Sequence, residues 1–334
     1  GRVRSLPVDQ AAAEAKKLAG AGYRELVLTG IELSTYGRDL PGKPPLADLI
    51  EEVCRAAPGL RVRLGSLEPR TVTEDFCARL VALPNLCPHF HLSMQSGCDT
   101  VLARMGRKYT TARYLESVER LRRYFDRPAI TTDMIVGFPG ETEEEFQETL
   151  DFIQTCAFSQ MHIFPYSRRR GTPAADMPGQ IPNAVKAQRA HRGAEIAGAM
   201  EKSWLTRWIG QTVPVLFEEE KEGFWRGHTP QYIEVRAKGA DLHNVVAPVT
   251  ITAVGDIHMD SSLLRDAQAG GDYDFAPAFF GVASLLANAD VTVGNLECTF
   301  AGPEQTDLDG WAPDNLAGTL SGLGFDLLQT MWIS

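Results

Sequence analysis

Apolar positions along the first 165 residues alternate between two periods. Val8–Leu18 keeps helical spacing, and Glu25–Thr29 is a short apolar run closed by Gly30, which predicts a buried strand. The cycle then repeats. A helical pattern over Leu46–Ala57 precedes a strand at Arg61–Leu64, and one over Thr73–Leu83 precedes His89–Ser93. Ala112–Tyr124 leads to Ile130–Val136, and Glu143–Cys156 leads to Gln160–Phe164. Helices and strands alternating at this spacing predict parallel strands joined by right-handed crossovers. The fold class is therefore α/β, with a full or partial barrel over residues 1–165. Sites in such folds gather at the C-terminal strand ends.

The pattern changes further on. Ser167–Pro182 carries Gly171, Pro173, Pro178, Gly179 and Pro182, too many breakers for a regular element. A long helix is predicted from Asn183, a suitable N-cap, to Trp208. After Gly210 come short strand patterns at Thr212–Phe217, Phe224–His228, Tyr232–Val235 and Val245–Thr252, a small all-β unit. The expected domains are 1–182, a connecting helix 183–210, a β module 211–250 and a further α/β segment 251–334.

Charge supports a boundary near residue 250. Residues 251–334 hold twelve Asp or Glu and one basic residue, Arg265, which leaves 32 basic against 31 acidic groups before them. A near-neutral first part with basic clusters is compatible with RNA, whereas the acidic tail alone repels it. No apolar stretch reaches the roughly 18 residues of a membrane span, and the start lacks a signal-peptide core. The expectation is a soluble cytoplasmic protein without membrane or DNA partners, its start trimmed or the chain a fragment, because the first residue is not Met. The six cysteines, Cys54, Cys77, Cys87, Cys98, Cys156 and Cys298, show no metal-site spacing and read as free, mostly buried thiols.

Chemistry concentrates at the turns after the strands. In Ile130–Phe146 a strand passes into Gly137-Phe138-Pro139-Gly140-Glu141-Thr142 and then an acidic helix start. Glycines let backbone approach a ligand, and exposed amides at the helix start can receive its polar groups. A tight structural turn with acids suited to the helix dipole is the plainer alternative. No Gly-Lys-Ser/Thr follows, so a Walker phosphate loop is excluded. Gln95 and Ser96 stand where a strand opens into a site, and Glu68, Thr29 and Gly30 occupy the stretches that follow the two earlier strands, while Asp133 lies within the Ile130–Val136 strand. Glu68 is either an acceptor for an amine or ribose, or a helix-start carboxylate. His89 and His91 face one side of their strand; interior hydrogen bonding suits them better than metal ligation, since no third ligand is evident.

Taken together, His91–Asp99, the Ile130–Glu141 run and Phe164-Pro165-Tyr166-Ser167 closely resemble the radical-SAM tRNA methylthiotransferases of the MiaB/MtaB type. The resemblance spans about residues 1–250. It includes Arg2-Val3-Arg4-Ser5, Arg107–Thr111, and Arg169, Gly171, Thr172 and Pro173. It implies a partial (β/α) barrel followed by a small TRAM-like β barrel. It also implies S-adenosylmethionine bound by Thr29, Gly30, Glu68, Gln95, Ser96, Asp133, Gly137, Gly140 and Glu141. The implied partner is tRNA, at the anticodon loop, contacted by Arg169, Lys221, Trp225, Arg226, His228 and Tyr232. The implied reaction adds a methylthio group to C2 of a modified adenosine, with Leu28–Ile31 and Ile130–Glu141 most like the threonylcarbamoyladenosine subgroup. Two [4Fe-4S] clusters serve that chemistry in the family.

The chain departs from this pattern. The family's C-x-x-x-C-x-x-C stretch lies just upstream of the segment matching Gly1–Ser5, and the domain holding the second cluster precedes it. The expectation is a chain without cluster ligands or catalytic residues of its own, inactive alone; a tRNA- and S-adenosylmethionine-binding remnant is the alternative. Leu6, Arg168 and Cys98 also replace usual family residues.

The tail carries a second resemblance. Val249–His258 ends in Gly-Asp-x-His, and Ala289–Glu297 follows. These resemble the start of CapA-type capsule-synthesis proteins, which look like metallophosphoesterases. Asp256, His258, Asn295 and Glu297 would form an incomplete metal set and a third, hydrolase-like reading. The join falls within Val249–Val254, a strand for either family, and reads as two gene segments fused naturally or by an assembly error.

Overall fold

The predicted helix starts rest on identifiable caps. The computed structural model describes residues 3–221, 223–257, 261–269, 272–279, 283, 286, 291–296, 299–300, 311–312, 314–323, 325 and 327–330. Helices α1 (Val8–Gly20), α2 (Leu46–Ala56), α3 (Glu74–Leu80), α4 (Asp99–Arg104), α5 (Thr111–Tyr124) and α6 (Glu143–Cys156) alternate with strands β1 (Glu25–Leu28), β2 (Arg61–Leu64), β3 (His89–His91), β4 (Ala129–Val136) and β5 (Gln160–Pro165). Thr73 and Thr110 cap α3 and α5 by accepting from the amides of Phe76 and Arg113 at 3.1 and 3.3 Å. Thr142 and Glu145 form a reciprocal capping box at α6. The sequence pattern did not foresee α4 or the short helix α7 (Pro173–Asp176), which are too brief to show a period.

β1 pairs parallel with β2, and β3, β4 and β5 form a second parallel ladder. Bridges at Val62↔Leu86 and Leu67↔Leu92 join them in the order β1-β2-β3-β4-β5. This is a partial (β/α) barrel. The five strands run in one direction, so Glu25, Arg61 and His89 begin them at the floor, while Gln95, Pro165 and Tyr166 lie at the mouth. Phe90, Leu92, Met94, Phe146 and Ile153 are fully buried between strands and helices. Each such side chain contributes roughly 1.5–3 kcal/mol of burial. Helix α8 (Asn183–Thr206) places Gly193 where an added Cβ would sit 2.8 Å from the Met134 methyl.

The chain divides into two compact units, Gly1–Leu205 with Pro230–Ile233, and Thr206–Thr229 with Glu234–Ser334. In the second, β6 (Thr212–Lys221), β7 (Phe224–His228), β8 (Glu234–Ala237) and β9 (Val246–Ile257) form an antiparallel sheet in the order β9-β6-β7-β8. The third strand starts at Glu234 rather than Tyr232, because Tyr232 has a φ of 66° and cannot extend a ladder.

The expected strand across the join is one continuous element. Val246–Thr250 of β9 run antiparallel to β6, and Ile251–Ile257 run parallel to β12 (Val291–Leu296). The tail adds α9 (Ser261–Ala267), β10 (Gln268–Ala269), β11 (Asp272–Tyr273), β13 (Thr299–Phe300), β14 (Trp311–Ala312), α10 (Asn315–Gly322) and β15 (Leu327–Thr330). Ala267, Phe275, Ala312, Leu316 and Leu320 make its small core. Among the described residues no helix is long and apolar enough to cross a membrane.

Candidate functional site

A cavity of about 540 Å³ opens at the mouth of β3, β4 and β5. Gln95, Asp133, Ile135, Phe164, Pro165, Tyr166, Ser167, Arg169, Thr172 and Ala174 line it. Gln95 follows β3 in the left-handed region, at φ 71°. Its amide donates to the Asp133 carbonyl and its own carbonyl accepts from Ile135, both at 2.9 Å. A non-glycine residue held this way is costly and characteristic of functional sites. Asp133 lies 3.4 Å from His91 Nε2, and that imidazole holds its carboxyl below the ordinary range. His91 Nδ1 in turn meets the Thr131 hydroxyl at 3.0 Å.

Ser96, Gly137, Gly140 and Glu141 stand behind this lining. The buried Ser96 hydroxyl lies 3.2 Å from that of Thr149 and accepts from the Cys98 amide. Gly137, at φ 71°, donates its amide to the Glu141 carboxylate at 2.6 Å; an added Cβ would lie 2.2 Å from Lys186 Cγ. Arg189 of α8 donates to the same carboxylate at 2.8 Å and to the Glu141 carbonyl at 3.1 Å. Burial still pushes the Glu141 carboxyl upward. Gly140 donates to the Gly179 carbonyl at 2.8 Å. The turn is thus fixed from α8, and nothing in the local pattern around Arg189 announces it.

Thr29 and Gly30 lie exposed after β1. Glu68 pairs with Arg70, which also reaches Glu32 at 2.6 Å. Of the residues singled out from the sequence, Gln95, Asp133 and Arg169 are brought together around the cavity. Phe164, Tyr166 and Thr172 join them without having been assigned a role.

The other candidate RNA contacts lie elsewhere. On β7, Arg226 is in register with Glu219, and Trp225 Nε1 donates to the Gly239 carbonyl at 3.1 Å. His228 lies 2.7 Å from Glu218. Lys221 is exposed at the end of β6. Tyr232 belongs to the first unit, stacked on His89 with centroids 5.3 Å apart and with the Arg63 guanidinium 4.8 Å from its ring.

The five described cysteines are buried, on separate elements, and free. Burial pushes Cys54 and Cys77 up to about 11 and Cys87 and Cys156 up to about 12, opposite to what a thiolate ligand needs. An iron–sulfur cluster requires converging thiolates, so the described cysteines do not fit one. Among the described residues no three His, Cys, Asp or Glu are grouped to hold a metal. Asn295 and Asp256 are register partners on β12 and β9, whereas His258 and Glu297 lie outside the described residues.

Comparison with known proteins gives these features a context. Residues 1–153 match the radical SAM superfamily and residues 250–330 match the bacterial capsule synthesis protein PGA_cap. The chain is 36% identical over 272 residues to the threonylcarbamoyladenosine tRNA methylthiotransferase MtaB of Bacillus subtilis, covering 79% of this chain and 60% of that protein. It is 38% identical over 258 residues to the tRNA-2-methylthio-N(6)-dimethylallyladenosine synthase of Chloroflexus aurantiacus, covering 76% and 55%. The solved radical S-adenosylmethionine methyltransferase TsrM of Kitasatospora setae aligns with 51% of this chain and 33% of its own at 17% identity and a TM-score of 0.42. The chain thus spans between half and two thirds of the length of these curated relatives. Residues 1–153 are thus similar to the radical SAM superfamily, about three quarters of the chain is similar to tRNA methylthiotransferases of the MtaB and MiaB type, and residues 250–330 are similar to capsule synthesis proteins.

Proposed function

We propose that this chain is the barrel and β-module part of a tRNA methylthiotransferase, acting at C2 of a modified adenosine next to the anticodon. The threonylcarbamoyl form is the favoured substrate, and a cytoplasmic location goes with the reading. One observation carries it: the cavity at the strand mouth holds Gln95 on left-handed backbone and the Asp133 carboxylate beside His91, with Arg169 also in its lining. Gln95 and Asp133 offer an amide and a carboxylate to the hydroxyls and amine of S-adenosylmethionine, so these side chains fit that ligand. When bound, S-adenosylmethionine supplies the radical precursor and the methyl group in this superfamily. The residues of this chain bind and orient it. Asp133 stays ionised beside His91, Gln95 fixes its own position through two backbone bonds, and Phe164, Pro165 and Ile135 exclude water on the apolar side.

The buried cysteines favour a second reading, binding of tRNA and S-adenosylmethionine without cluster chemistry. Two measurements separate them. Calorimetry of the full chain should show S-adenosylmethionine binding that weakens about tenfold in Asp133→Ala; no binding by the parent chain sinks both readings. Mass spectrometry of nucleosides from tRNA incubated with the anaerobically reconstituted chain then decides between them. Methylthiolated adenosine establishes the first reading, while iron-free protein and unmodified tRNA establish the second.

A further inference from the structure

We infer that Arg168, Arg169 and Arg170, together with Phe164 and Tyr166, form a binding site for a single-stranded RNA segment at the cavity mouth. The site rests on the tRNA reading above and names how the strand is held there.

Three observations converge on it. First, the three arginines directly follow β5 on an exposed loop, and among the described residues none lies within ion-pairing distance of a carboxylate. Arg61, Arg63, Arg79, Arg104, Arg120 and Arg189 of this unit are ion-paired; Arg4, Arg24, Arg38 and Arg107 are not, among the described residues, but they stand singly, whereas Arg168–Arg170 are adjacent. Three adjacent cations repel one another, and an anionic strand relieves that repulsion.

Second, the loop is held in place although its side chains are free. The Tyr166 amide donates to the Val136 carbonyl at 2.8 Å, and Lys186 Nζ donates to the Tyr166 carbonyl at 2.9 Å. The Thr172 hydroxyl and amide both donate to the Arg169 carbonyl, at 2.8 and 3.2 Å, and Gly171 turns the chain at φ 83°. The arginines are therefore presented from a fixed backbone, which lowers the entropy lost on binding.

Third, aromatic surface adjoins the charge. Phe164 is 51% exposed at the end of a barrel strand, an unusual place for so large an apolar side chain. Tyr166 packs edge-on against Phe138 at 5.3 Å, and its hydroxyl is buried without a hydrogen-bond partner among the described residues. An exposed ring at Phe164 beside unpaired guanidinium groups is what an unstacked base and its phosphates require. An acidic peptide or an anionic membrane would use the charge but not the ring.

The test uses the full chain and an unmodified tRNA transcript as probe, with binding followed by fluorescence anisotropy over a range of salt. Each lost phosphate contact to a single strand lowers the slope of log K against log salt by about 0.7. Arg168→Ala with Arg170→Ala should therefore lower it by about 1.4, and Phe164→Ala should weaken binding about fivefold or more at unchanged slope. Lys16→Ala with Lys17→Ala, on α1, removes the same charge and should leave the slope alone. An unchanged slope in the arginine variant, or an equal fall in the lysine control, overturns the site while leaving tRNA binding itself intact. Absence of salt-dependent tRNA binding by the parent chain would instead overturn the functional reading beneath it. Equal competition by polyglutamate or by phosphatidylserine vesicles, with Phe164→Ala silent, would assign the arginines to an anionic partner other than RNA and also overturn the site. Circular dichroism and S-adenosylmethionine binding of the arginine variant should match the parent, since both substitutions lie on an exposed loop.

Discussion

Two groups of arginines at opposite ends of the partial barrel stand in contrast. At the floor, Arg63 is 3% exposed; its Nε and Nη2 donate to the two Glu25 carboxylate oxygens at 2.8 and 3.0 Å. Arg61 shares that carboxylate at 2.8 Å, Arg63 Nη1 donates to the Pro230 carbonyl at 2.8 Å, and Tyr232 covers the cluster. At the mouth, three arginines stand in solvent beside a cavity. A guanidinium inside the fold must be paired because desolvation is costly, whereas one kept free at a rim remains available to a ligand. The difference separates an end built to stay closed from an end built to receive something.

The strongest way to break this contrast is to remove the floor cation. Arg63→Ala leaves the half-buried Glu25 to Arg61 and the Cys87 thiol, and the Pro230 carbonyl without its donor, and should cost about 3 kcal/mol in urea unfolding. A loss below 1 kcal/mol would mean that the floor is not closed as described.

Acid should act on the same end. Burial holds His89 down to about 3 from its ordinary value of 6.5, so protonation favours the unfolded chain. This contribution is whole above pH 6.5 and is lost as pH falls towards 3. At pH 5 the loss is about 2 kcal/mol. His89→Phe should remove that part of the acid sensitivity, measured as the difference in urea midpoints at pH 7.5 and pH 5.

Tyr232→Ala is expected to cost about 1–2 kcal/mol through the lost stacking and cation–π contacts. At the mouth, Arg168→Ala and Arg170→Ala should each change stability by less than about 0.5 kcal/mol, since no ion pair is lost. Thermal scans of the three variants should place Tyr232→Ala well below the two arginine variants.

Much of this architecture is legible in the chain. The alternation of helix and strand periods placed the first five strands within one or two residues at their starts, from Glu25–Leu28 to Gln160–Pro165. The threonine caps at 73, 110 and 142 bond within three residues, so they too are visible in sequence. Gln95 was legible as a strand-end residue because sites in parallel α/β folds form there, whereas Asp133 and Arg169 were singled out through the family resemblance. Phe164 read only as the end of a strand. Its exposure depends on which strands flank β5, a property of the sheet.

Tyr232 marks where local pattern fails. It sits in a run of alternating residues and reads as strand, yet its left-handed backbone sends it onto His89 and Arg63 in the first unit. Arg189 is equally silent: a helical arginine like its neighbours, it reaches Glu141 across 48 residues.

The sequence by itself determined the order of elements, their caps, the glycine turn at Gly137 and the acidic change near residue 250, because these depend on neighbours a few positions apart. Only the tertiary structure decided which charges are paired. Arg63 meets Glu25 across 38 residues and Pro230 across 167, whereas Arg168–Arg170 meet no carboxylate among the described residues. Ion pairing requires two groups within a few ångströms, and over such separations chain packing sets that distance, which no local periodicity encodes.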